Sequence, residues 1–193
     1  MSSQALLTFR RLLSQVAEIE GVAEEVGSSK PDVAPILRRS AYVLAVAALD
    51  TYFHERSAEK LRAAALRGSP DDARVASYLG SVTAAEVGGP VGESFIRMRL
   101  TFKTLVAPRR IDEAVLAWGD DPGDVWRDFC FAVGSRPDRE RRQLELLYDR
   151  RNQIAHEGDW DPVQLQFRRV HSSHLEDCIE RVTSVAEGFD RLL

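Results

Sequence analysis

The chain's 193 residues, 44% hydrophobic and 29% charged, suit one soluble globular domain, or one carrying an insertion, with apolar mass for a sizeable core. A formal net charge of -4 excludes a generally basic nucleic-acid coat protein, although RNA binding depends on where the positive charge sits rather than on its sum. No apolar run reaches the ~18 residues of a membrane span, and the N-terminus has no basic, apolar and small-residue succession of a secretory signal. Cys130 and Cys178 form neither a disulfide framework nor a spaced zinc set, so a reducing cytoplasm is the expected compartment.

The pattern is helical nearly throughout. In "QALLTFRRLLSQVAEIEGVAEEV", Leu6, Phe9, Leu13, Val16 and Ile19 recur at three- and four-residue steps, which predicts an amphipathic helix. "GSSKP" breaks it. A second helix is expected from about Val33 to about Leu66, with Ile36, Leu37, Leu44, Val46, Leu49 and Phe53 facing the core. It stops at "RGSPDD", where Ser69 can cap, Pro70 takes the first helical position, and Asp71 and Asp72 favour the positive end of the next helix.

The stretch 69–135 is punctuated by "VGGPVG", "VAPRR" and "WGDDPGD", and reads as a helical insertion. Short helices fit around Glu93–Thr104, Ile111–Trp118 and Pro122–Val133, with Trp118, Trp126 and Phe129 as apolar anchors. After "GSRPD" a helix should run from about Pro137 to His156 or Glu157, with Leu144, Leu147 and Tyr148 inward and Gly158 terminating it. "DWDPVQ" predicts a restart, with Asp161 as N-cap, Pro162 in the first position and Gln164 completing a capping box. The final helix would carry Phe167, Val170, Cys178, Val182, Val185 and Phe189 on its apolar face. No repeat and no alternating strand pattern is present. The expected architecture is an all-α bundle of about four long helices.

Positive charge is concentrated before and within the motif-bearing helix: Arg136, Arg139, Arg141, Arg142, Arg150 and Arg151. Arginine's planar fork suits bidentate contact with phosphate. In "LYDRRNQIAHEGDWDP", Asn152 and His156 are four residues apart and so share a helix face, while Arg151 and Arg150 precede the histidine by five and six. The last turn of a helix favours a cation, and an imidazole there can exchange a proton near neutral pH beside a phosphate-holding guanidinium. Cations also gather at helix C-termini for capping and dipole reasons alone.

The segment "RRNQIAHEG" resembles the Arg-x4–6-His motif of the HEPN superfamily, whose arginine is commonly followed by a polar residue. "LRRSAYVLAVAALDTYFHE" is similar to the family's earlier core helix, and the RiboL-PSP-type branch is the nearest resemblance, from about Lys30 to the C-terminus. The resemblance implies a metal-independent endoribonuclease without a cofactor, active as a homodimer on RNA, with Arg151, Asn152 and His156 at a site shared by two protomers and Arg150 the other first position. It also implies a phage-defence or toxin role, with an antitoxin or another defence-system protein as a partner. Two copies suit the chemistry, because cleavage by the RNA's own 2′-hydroxyl needs a base and an acid and the segment holds a single histidine. The branch paired with minimal nucleotidyltransferases has a tyrosine two residues after the histidine; this chain has Gly158 there. The other reading of the same resemblance is a non-catalytic HEPN module binding RNA, a nucleotide or a protein.

Asp50 interrupts an apolar run four residues before His54 and must find a partner when buried. It either orients Arg150 or Arg151 or bridges to Arg39 or another arginine. In "VHSSHLEDC", His171, His174, Asp177 and Cys178 have spacings that could take a metal, but hydrogen-bonded core histidines are the expectation. No phosphate-cradling loop, nucleophile elbow or dinucleotide fingerprint is present.

Overall fold

The computed structural model describes residues 2–66, 72–80, 82 and 84–193. The fold is all-α, with four long helices, α1 (Gln4–Gly27), α2 (Val33–Leu66), α8 (Pro137–Glu157) and α9 (Ser172–Leu192). Among the described residues, five shorter ones lie between α2 and α8: α3 (Asp72–Leu79), α4 (Ala84–Gly88), α5 (Gly92–Leu100), α6 (Pro108–Trp118) and α7 (Pro122–Ala132). The expected short helices correspond to α5, α6 and α7. The cap expected at Ser69 and Pro70 lies outside the described residues. Among the described residues no helix is long and apolar enough to cross a membrane.

Helix α2 is the centre of the bundle, with α1, α9, α8 and α4 to α6 packed against it. Phe9 of α1, Tyr52 and Phe53 of α2, Phe189 of α9 and Trp126 of α7 follow one another edge to face, with centroids 6.4, 5.2, 5.4 and 5.2 Å apart. That arrangement sets the positive edge of one ring against the negative face of the next. Gly188 permits the close approach of α9 to α7, because a Cβ there would stand 2.4 Å from Phe129 Cε2. Described residues between 72 and 135 are part of this core: Ile96, Ile111, Trp118, Trp126 and Phe129 are buried in the same cluster as Phe9 and Leu49.

Three expectations are corrected. Ile36 and Leu44 are 58% and 43% exposed rather than in the core. With Ser40 they lie one turn apart on the outer stripe of α2, and an almost continuous apolar run does not distinguish that stripe from the inner one. The chain does not restart as a helix at Pro162. It forms a two-stranded antiparallel hairpin, β1 (Trp160–Asp161) and β2 (Gln166–Phe167), with Trp160 opposite Phe167. Asp161 Oδ1 accepts the N–H groups of Val163 and Gln164 at 2.9 and 3.0 Å, the bonds a helix cap would make, but here they form the hairpin turn. Phe167 is consequently 59% exposed, and the final helix begins at Ser172.

Candidate functional site at the end of helix α8

Helix α8 has the predicted bounds, with Pro137 in its first turn and Gly158 ending it at φ 62°, ψ 18°. Asp159 follows at φ 61°, so two successive left-handed residues turn the chain out of the helix. The N–H groups of Gly158 and Asp159 both donate to Gln153 O.

This turn delivers Asp159 into the interior, where its carboxylate is fully buried between two guanidinium groups. Arg150 grips both oxygens, with Nη2 2.9 Å from Oδ2, and Arg39 Nε donates to Oδ2 at 2.6 Å. Arg39 Nη2 donates to Arg168 O at 2.7 Å. The triad therefore joins α2, the end of α8 and the segment after the hairpin. A buried carboxylate is sustained by such charge-assisted bonds and by little else. Sequence reasoning missed Asp159, since an aspartate beside a helix-ending glycine resembles any loop acid and its partner Arg39 is 120 residues away.

Arg150 and Arg151 consequently have separate environments. Arg150 belongs to the triad. Arg151 is partly buried, donates to Asn152 Oδ1 at 3.0 Å and, among the described residues, meets no carboxylate within 4 Å. It shares a small cavity with Asp50, Tyr148 and Thr104. Asp50 does not bridge to Arg39, which is committed to Asp159. Instead, Asp50 Oδ1 accepts the Leu105 N–H at 2.6 Å and lies 3.7 Å from His54 Nε2, whose own bond is to Lys103 O at 2.8 Å. Burial raises the Asp50 pKa above its ordinary value, against the opposing pull of the Leu105 N–H, His54 and Arg151.

His156 is exposed in the last turn, one turn beyond Asn152, and among the described residues makes no hydrogen bond or ion pair. The structure thus brings Arg151, Asn152 and Asp50 into one neighbourhood, leaves His156 exposed in the last turn of α8 and withdraws Arg150. Of the other arginines in this region, Arg141 is also committed: it pairs with Asp112 at 2.6 Å and lies over the Trp126 ring at 4.7 Å. Arg139 is exposed beside a cleft of about 730 Å³ between α8, α9 and the α7–α8 link. That cleft contains Ser135 and Gln143, whose buried Oγ and Oε1 have no hydrogen-bond partner among the described residues.

His171 and His174 are exposed rather than in the core. Because α9 starts at Ser172, both fall at its first turn, where the His171 N–H donates to His174 Nδ1 at 3.4 Å. Among the described residues no group of three or more histidine, cysteine, aspartate or glutamate side chains is placed to hold a metal ion. No family model matches the chain, and neither a curated protein nor a solved structure matches it.

Proposed function

We propose that the protein is an endoribonuclease of HEPN type, in which Arg151, Asn152 and His156 of two protomers meet at a shared site. The observation that carries the reading is the division of labour between adjacent arginines. Asp159 neutralises Arg150, while Arg151 keeps a charge with, among the described residues, no carboxylate within 4 Å, five residues before an exposed imidazole. A phosphodiester is a natural partner for such a guanidinium.

In the proposed reaction the 2′-oxygen of RNA attacks the adjacent phosphorus while one His156 imidazole takes the 2′-hydroxyl proton. The P–O5′ bond breaks, and the imidazolium of the partner protomer gives its proton to the departing 5′-oxygen. Arg151 stabilises the charge that builds on the non-bridging oxygens, and Asn152 orients the guanidinium. The products carry a 2′,3′-cyclic phosphate and a 5′-hydroxyl. Side chains supply both proton transfers, so the chemistry runs without a metal ion. A role in phage defence or as a toxin, with an antitoxin or another defence-system protein as partner, belongs to the same proposal.

Purified protein should cut single-stranded RNA in EDTA, and His156→Ala should abolish cutting with unchanged helical circular dichroism. Cleavage that EDTA stops, full activity in the variant, or a strictly monomeric protein would overturn the reading. A non-catalytic binding module is the second reading, favoured by the cleft of about 730 Å³ with its two polar atoms that have no partner among the described residues. It predicts RNA binding that weakens with salt and no cleavage of any RNA.

A further inference from the structure

Directly beyond the α8 terminus the β1–β2 hairpin exposes two aromatic rings. Trp160 is 40% and Phe167 59% exposed, and they meet edge to face with centroids 5.3 Å apart. The other two tryptophans, Trp118 and Trp126, are 4% and 1% exposed. An exposed indole on a strand only two residues long contributes little to the core.

Three arginines border the rings, two of them paired with carboxylates. Arg39 lies over one side of Phe167 with its Cζ 5.2 Å from the centroid. Arg168 follows Phe167 directly and donates to Trp160 O at 2.7 Å and to Glu157 at 3.4 Å. Arg169 is exposed and, among the described residues, meets no carboxylate within 4 Å. Phe167, Arg168 and Arg169 also border a groove of about 1260 Å³ that reaches Ile154 and Gly158 of the α8 terminus. Glu157 is the residue after His156, so the Arg168 bond ties the hairpin to the turn that carries the imidazole.

We propose that the hairpin is a stacking platform for single-stranded RNA, with bases lying against Trp160 and Phe167 and Arg169 holding the phosphate between them. The proposal rests on the RNA reading above and extends it to a part of the chain that reading does not use. Exposed aromatic rings beside Arg169, which has no carboxylate within 4 Å among the described residues, match the two demands of an unpaired strand, a stacking surface and a phosphate contact. A peptide adding a strand would find an edge of only two residues. The apolar tip, with Val163 and Leu165 88% and 71% exposed, is the feature that a membrane surface would use instead.

The test uses the full chain and a single-stranded oligoribonucleotide with 2′-O-methyl riboses, which can bind but has no free 2′-hydroxyl to attack. Titration should quench tryptophan emission. In Trp160→Phe, which keeps a ring, binding measured by anisotropy of a labelled strand should persist while the quench disappears. Trp160→Ala should weaken binding by roughly fivefold to one hundredfold, the usual worth of one stacked base. Arg169→Gln should lower the slope of log affinity against log salt by about 0.7, as expected for one lost phosphate contact on a single strand. Binding with unaltered emission and undiminished affinity in Trp160→Ala overturns the platform, as does a response to anionic phospholipid vesicles with none to RNA. His156-dependent cutting of ordinary RNA without a Trp160 response removes the platform alone. A Trp160-dependent quench without any cutting removes the catalytic reading alone.

Discussion

Arg150 and Asp159 form a two-bond ion pair across the end of α8, with the carboxylate at zero exposure and the guanidinium only 22% exposed. Arg39, 14% exposed, is the third member. Removing the carboxylate leaves two part-buried cations facing each other, a loss of about 3–5 kcal/mol for a broken buried pair. Asp159→Ala should therefore lower the urea midpoint strongly, and Asp159→Asn, which keeps an acceptor in place, should lower it less. Equal stability of wild type and Asp159→Ala would show that the triad contributes nothing.

The same pairing separates the roles of the two adjacent arginines. Arg151→Ala should reduce RNA cleavage by about 10²–10³-fold, the usual cost of one transition-state donor, with little change in the unfolding midpoint. Arg150→Ala should do the reverse, losing stability first and activity only in step with it. Cleavage assays beside urea unfolding of both variants check this, and an inactive but fully stable Arg150→Ala protein would exchange the assignments.

Asp50 gives a pH dependence of known sign. Its folded pKa is raised by burial above the ordinary 3.8, so the folded state holds the proton more tightly than the unfolded one. The ionised carboxylate then costs stability above the folded pKa, and the cost fades as pH falls toward 3.8. An asparagine still accepts the Leu105 N–H. Asp50→Asn should accordingly be more stable than wild type at neutral pH, with the difference shrinking through the carboxylate range. Thermal midpoints across pH provide the measurement, and a difference that grows on acidification would contradict it.

Both cysteines should be inert in the folded protein. Burial pushes the Cys178 thiol up to about 12, against a smaller pull from the Tyr42 hydroxyl, and the Cys130 thiol up to about 11. Iodoacetamide at mildly alkaline pH should leave the intact mass unchanged, whereas denatured protein should take up two labels. Native labelling of Cys178 would show that the α2–α9 contact opens.

The long helices were legible because their signals are local. Pro137 and Gly158 mark the two ends of α8, and Leu6, Phe9 and Val16 repeat at helical steps. The hairpin was not, because an Asp-Pro pair makes the same short-range bonds in a turn as at a helix start. What distinguishes the two is the Trp160–Phe167 pairing and the left-handed Leu165, at φ 52°. Arg151, Asn152 and His156 could be named from the resemblance of "RRNQIAHEG" to a known motif, since one helix carries all three. Asp159 could not, because its role depends on Arg39 reaching it from another helix. The exposed stripe of Ile36 and Leu44 was hidden for a related reason: an apolar run does not say which side meets a neighbour.

The proposed chemistry is tested most directly by the ends of the RNA fragments that the wild-type protein produces in EDTA. Attack by the neighbouring 2′-oxygen predicts a 2′,3′-cyclic phosphate on one fragment and a 5′-hydroxyl on the other, with neither formed by His156→Ala. Fragments bearing a 3′-hydroxyl and a 5′-phosphate, or no fragments from any single-stranded RNA, would contradict it.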